Sequence, residues 1–248
     1  MWRILCVLPL IFASSVLGQT QQPERRALDP GRLPFPAGGG FAGTTVSVNE
    51  LRIPKKAGQE MRHAQRFFDL GNFRESATHL EKAIRIYPGI SAAHYNLGVC
   101  YARFGEYEKA AGEFQATSVL DSGLAPPAVS LSIVFFLLER YGEGEAAARR
   151  ALVIDPGNPT GRYMLGRILA AEGQDTAEVM ALLRESRSEF PAARLVLAGL
   201  LLKRNAREEA MAELKAYLGE SQAPGKDRIT CVIEELTNPE GASTCPLQ

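Results

Sequence analysis
The sequence has little of what usually announces a function. It has no excess of charge: 28 Lys and Arg stand against 28 Asp and Glu in 248 residues. That removes any bulk electrostatic reason to bind nucleic acid or an anionic membrane. It has three histidines and four cysteines. No CxxC, HExxH, GxSxG, P-loop or calcium-loop pattern sets these or the acids in catalytic or ligating spacing. No cofactor and no metal are expected, and an enzyme is the remotest of three functional readings. No apolar run reaches the ~20 residues that a bilayer-spanning helix needs. What is there is ordinary globular composition, 46% apolar and 23% charged, which excludes wholesale disorder.

Residues 1–18, MWRILCVLPLIFASSVLG, open with Arg3, run apolar from Ile4 to Phe12 and end in small residues. This is the plan of a secretory signal peptide cut before Gln19. The mature chain is then expected to be periplasmic or extracellular, with no transmembrane segment. The alternative is an uncleaved anchor helix, for which the run is short. Residues 19–56 hold Pro23, Pro30, Pro34, Pro36 and Pro54 among glycines. Such a stretch cannot bury enough apolar surface to offset its ordering entropy, so a flexible tether is expected, disordered over 19–43. Gly38 to Gly43 match GxGxxG spacing, but no strand precedes them and no helix follows directly. Thr44–Val48 alternates and is β-branched, which suits a short strand.

Beyond residue 56 the chain repeats. Gly71 and Gly105 are 34 apart, as are Phe67, Tyr101 and Phe135, and Phe73, Tyr107 and Tyr141. Ala83, Thr117 and Ala151 keep the interval, and so do Pro88, Ser122 and Pro156. Asn96-Leu97-Gly98, Tyr101, Gly105, Tyr107, Ala110 and Phe114 make residues 91–124 the fullest copy. This pattern resembles the tetratricopeptide repeat. The resemblance implies an all-α, right-handed α-solenoid of about five helix-turn-helix units, at 57–90, 91–124, 125–158, 159–191 and 191–220. The fourth needs one extra residue in its inner turn, and the fifth is degenerate. Residues 221–248 are expected to supply a capping helix over Lys226–Leu236, with Asp227 as its N-cap, and a tail. Asn158 is followed by proline, so it offers no glycosylation site, which fits an exported bacterial member of the family.

The residues support this physically. Inner turns need a residue comfortable at positive φ, and Gly71, Gly105, Gly173 and Asn205 occupy them. Close helix crossings need small side chains, and Ala64, Gly98, Ser132, Gly166 and Ala198 recur on the first helices. The third unit departs: Glu139 holds its turn position, and Gly142 and Gly144 follow, so its second helix is expected to start late. Cys100 reads as core. Cys231 and Cys245 form a disulfide in an oxidising compartment, or remain separate thiols. His63 takes a slot held by leucines in later units and reads as a partly buried structural histidine.

In tetratricopeptide families the first helices line a concave groove that holds a peptide or a partner helix. The resemblance puts Met61, Gln65, Phe68 and Asp69 there from the first unit, and Tyr95, Val99, Ala102 and Arg103 from the second. Val129, Ile133, Phe136 and Leu137 follow from the third, then Tyr163 and Arg167. Of the carboxylate clamp some members carry, only Asn96 matches. Ala128–Leu138 is uncharged on every face, so something must cover it. Either a protein or peptide partner does, making the chain a non-catalytic interaction scaffold, or residues 44–53 or the curvature of the array do. The last case would be a structural accessory subunit of an envelope assembly with a self-filled groove.

Overall fold
The computed structural model describes residues 53–220 and 225–237. Among these there are eleven helices and no strand. They are α1 (Lys55–Asp69), α2 (Phe73–Ile86), α3 (Ser91–Arg103), α4 (Tyr107–Leu120), α5 (Ala125–Leu137), α6 (Tyr141–Ile154), α7 (Pro159–Ala171), α8 (Ala177–Ser186), α9 (Ala192–Lys203), α10 (Arg207–Leu218) and α11 (Lys226–Thr237). The segments read as signal peptide, tether and strand 44–48 lie outside the described residues, as does Cys245. The described chain divides into two compact units between Met164 and Leu165, inside α7. In the first, each helix from α1 to α6 packs on the next. In the second, α8 packs on α9, α9 on α10, and α10 on α11.

Every inner turn is built the same way. One residue takes a left-handed conformation: Gly71 (φ 74), Gly105 (φ 77), Glu139 (φ 59), Gly173 (φ 82) and Asn205 (φ 59). The next N–H then reaches back to a carbonyl of the first helix: Asn72 to Phe67 at 2.8 Å, and Glu106 to Tyr101, Arg140 to Phe135, Gln174 to Leu169 and Ala206 to Leu201, each at 2.9 Å. This backward bond satisfies a carbonyl that the helix end leaves orphaned. Positions 67, 101, 135 and 169 supply the accepting carbonyls in the first four turns.

The third unit corrects one expectation. Its second helix does not start late: α6 begins at Tyr141, in register with Phe73 and Tyr107. Glu139 itself adopts the left-handed turn conformation, so Gly142 is not needed for it. Arg140, next in the chain, pairs through two nitrogens with Glu143, both contacts at 2.6 Å. A non-glycine residue pays roughly 1–2 kcal/mol in this conformation. Glu139→Gly is therefore expected to raise stability by about 1 kcal/mol. A lower urea midpoint in the variant would show that the glutamate side chain returns more than its backbone costs.

The fourth unit carries its insertion between α7 and α8. Thr176 caps α8 by accepting from the Val179 N–H at 3.3 Å, and Val179 is fully buried. At the other end, α11 starts at Lys226, one residue before the expected cap. The Gly225 carbonyl accepts from the Ile229 N–H at 3.1 Å. Asp227 thus lies within the first turn, where its charge favours the positive helix end. Arg207 of α10 donates to the Leu236 carbonyl at the far end of α11.

Within each pair a small first-helix residue stands at the register of a larger second-helix one. Ala64 goes with Leu80, Gly98 with Phe114, Gly166 with Leu183 and Ala198 with Leu214, all at equivalent positions. The third pair, Ser132 and Ala148, is small on both sides and fully buried. The smallest residue, glycine, meets the largest, phenylalanine: a Cβ on Gly98 would lie 2.7 Å from the Phe114 ring.

His63 is the second correction. It is exposed rather than partly buried, and its ring stacks on that of His79 at 5.3 Å. Its leucine counterparts Leu97 and Leu131 are buried. Those lie on helices with a repeat before them, whereas α1 is the first helix described.

Candidate functional site on the first helices
The positions read as groove-lining form two ladders at 34-residue steps: Met61, Tyr95, Val129, Tyr163, and Gln65, Val99, Ile133, Arg167. In the first unit the ladders close from one end. Met61 and Gln65 on α1 are half-buried. Tyr95 and Val99 on α3 are 4% and 1% exposed, and Val129 and Ile133 on α5 are 1% and 0%. Tyr163 is buried in the first unit, and Arg167 is buried in the second. Phe68, Arg103 and Phe136 are half-buried.

The contacts follow this gradient. Met61 and Phe68 pack against the core formed by Ala57, Ala64, Leu80 and Leu97. Phe68 meets Phe73 edge-on at 5.1 Å, and the Arg103 guanidinium lies 5.6 Å from the same Phe73 ring. Gln65 donates to Asp69 at 2.7 Å. Tyr95 bridges α3 to α5: its hydroxyl is 3.4 Å from the Ser130 hydroxyl, and its ring is 5.5 Å from Phe114. Burial pushes the Tyr95 phenol up to about 12, so it stays neutral and serves packing. Phe136 tilts against Tyr141 at 5.6 Å.

On α5, every residue from Pro127 to Phe135 is buried. An apolar strip of this kind on an open face would be an aggregation liability. Pro126 and Pro127 occupy the first turn, where their missing N–H groups cost nothing. Asn96, the one clamp-like residue, is buried. Cys100 is a free, buried thiol pushed up to about 11 by burial. As a thiol rather than a thiolate at neutral pH it is a poor nucleophile. Among the described residues, no group of three or more His, Cys, Asp or Glu is placed to hold a metal ion.

Two features escaped the sequence reading. One is the matching of small and large residues across each pair, which shows in the sequence only once the helix registers are known. The other is a set of side-chain hydrogen bonds between helices: Glu60 with His79 at 2.6 Å, His94 with Glu113 at 2.7 Å and Arg194 with Glu213 at 2.8 Å. Each joins residues 19 apart, and that common spacing was the available signal.

Comparison with known proteins agrees with this architecture. The tetratricopeptide repeat family model matches residues 61–125 and 135–192. Tetratricopeptide repeat protein 34 of Homo sapiens is 33% identical over 128 residues, 49% of this chain and 21% of that protein. The chain therefore spans about a fifth of that relative's length. Among solved structures, MamA superposes with a TM-score of 0.60 at 18% identity, covering 76% of this chain and 97% of that one. YrrB, described as a TPR protein with an unusual peptide-binding site, gives 0.58 at 17% identity, covering 69% and 91%. At these identities the structural likeness speaks for the fold. The left-handed inner turns, the paired helices at 34-residue steps and the matching family model together place this chain in the tetratricopeptide-repeat family.

Proposed function
We propose that the chain is a non-catalytic protein-interaction scaffold that takes a peptide or helix along the face of its first helices, entering at α1. The observation that carries this reading is the graded ladder. Met61, Gln65 and Phe68 combine apolar and hydrogen-bonding character and keep part of their surface at the end where the ladder is open. The peptide-binding site named for YrrB supports the class of ligand. The burial of Tyr95, Val99, Val129 and Ile133 favours a second reading for the rest of the face, a structural accessory subunit whose groove is already filled.

Capture by the full mature chain separates the two. Met61→Glu with Gln65→Glu should abolish partner capture. Because Met61 packs on the core and Gln65 bonds Asp69, the melting temperature should fall by several degrees, with the chain still folded at the temperature of the capture. Thr78→Glu, on an exposed face of α2, should leave capture intact. Equal capture by all three forms would eliminate entry at α1 and leave the accessory reading.

Export belongs to the same proposal. Residues 1–18 have the plan of a signal peptide, and Cys231 is disulfide-bonded, its partner lying outside the described residues. A disulfide suits an oxidising compartment. Peptide mapping without reductant is expected to join Cys231 to Cys245, a loop whose closure is worth roughly 3 kcal/mol. Alkylatable thiols at both positions in secreted protein would refute the bridge.

A further inference from the structure
The three inter-helix links occupy one structural position. Residues 60, 94 and 194 are equivalent on the first helices, and 79, 113 and 213 on the second. The first repeat sets Glu60 against His79, and the second exchanges the partners, His94 against Glu113. The third carries two alanines, Ala128 and Ala147, both buried. The fifth has Arg194 against Glu213. Links at one position therefore differ in what a proton does to them.

His94 is distinct in making two bonds. Its Nδ1 lies 2.7 Å from Glu113 Oε2, and its Nε2 lies 3.0 Å from the Pro88 carbonyl oxygen. An ionised carboxylate and a peptide carbonyl are acceptors only. Both ring nitrogens must then donate, and only the imidazolium carries two N–H groups. His79 has one such bond, to Glu60 at 2.6 Å, which a neutral tautomer can supply. Arg194 donates through a guanidinium, which carries only N–H donors and needs no change of tautomer. Pro88 belongs to the joint between α2 and α3, so His94 ties that joint to α4.

We propose that His94 is a protonation-dependent latch at the joint between the first and second repeats, closed when the ring is charged and released as it loses its proton. Among the described residues, the charged group acting on the ring is Glu113 of α4, and the Pro88 carbonyl faces it from the α2–α3 joint. The hydrogen bond to Glu113 raises the His94 pKa, partial burial opposes it, and the Pro88 carbonyl adds to the rise. A histidine raised in the folded state contributes stability fully below its ordinary pKa of ~6.5. It loses that contribution as pH rises through the folded value. Around the exchanged link in the first repeat, Glu60 feels His79, Lys82 and His63, and its pKa is lowered, chiefly by the hydrogen bond from His79. Its contribution is lost only when pH falls through that lowered value.

Hydrogen exchange of the full chain, corrected for intrinsic rates, tests this between pH 5.5 and 8.5. Protection of the amides from 89 to 97 should fall with pH, by up to ~10-fold per unit between the ordinary and folded pKa. The α9–α10 pair, linked by arginine, should hold. His94→Phe should leave the amides from 89 to 97 weakly protected and independent of pH. Should that variant fail to fold, proton NMR titration of the His94 ring provides the second arm. Its midpoint should lie above ~6.5 in the natural chain and drop in Glu113→Gln. A midpoint at or below the ordinary value, or an equal loss of protection in α9–α10, would overturn the latch.

Discussion

Ile133→Asp is expected to unfold the first compact unit. Ile133 is fully buried at the centre of α5, and its neighbours on the same face, Val129 and Phe136, are apolar. A carboxylate placed there forfeits its hydration. The loss of apolar packing adds the cost of a large-to-small core change, roughly 2–5 kcal/mol. Together these amount to about 5 kcal/mol or more, comparable with the whole stability of an ordinary domain. Ile133→Val should cost only ~0.5–1.5 kcal/mol. Thermal melts of the full chain, followed by circular dichroism, make the comparison. An Ile133→Asp protein that melts like the parent would mean that this side chain can reach water, and would return α5 to the list of partner-binding surfaces.

The second large effect is a substitution that helix propensity alone would rate as favourable. Alanine is worth ~1 kcal/mol over glycine inside a helix, yet Gly98→Ala is expected to destabilise. The new methyl would lie 2.7, 2.8 and 3.1 Å from three atoms of the Phe114 ring. That ring is fully buried and lies against Tyr95, so α3 and α4 must separate, at about 1–3 kcal/mol. The repeat supplies its own remedy. Ala64 with Leu80 occupies the same two positions one unit earlier. Gly98→Ala combined with Phe114→Leu should therefore be more stable than the sum of the two single changes predicts, by ~1 kcal/mol or more. Strict additivity in denaturant titrations would show that the two positions do not share one space.

Much of this was legible without coordinates because it depends on local geometry repeated along the chain. A residue that must take positive φ, a large apolar or aromatic residue before the turn and a small residue at a crossing all recur along the chain. Spacing survives in a sequence. Glu139 was harder to read: its side chain carries no hint of a left-handed backbone, and two nearby glycines drew the turn towards them. The exposure of His63 was hidden for another reason. Its slot matches buried leucines, and only its place on the first described helix removes the neighbour that would cover it.

The groove divides in the same way. The family resemblance put Met61, Gln65, Tyr95, Val99, Val129 and Ile133 on the groove face, and the 34-residue step sets them on two ladders. Neither could say which rungs reach solvent. Burial is a property of everything packed around a side chain, and that sum differs at each repeat although the local pattern does not. The sequence by itself determined the helices, four of the five inner turns and the family. Only the tertiary structure decided that Ile133 is core, that Gly98 yields its volume to Phe114, and that His94 holds two acceptors at once, because each of these depends on atoms brought together from helices far apart in the chain.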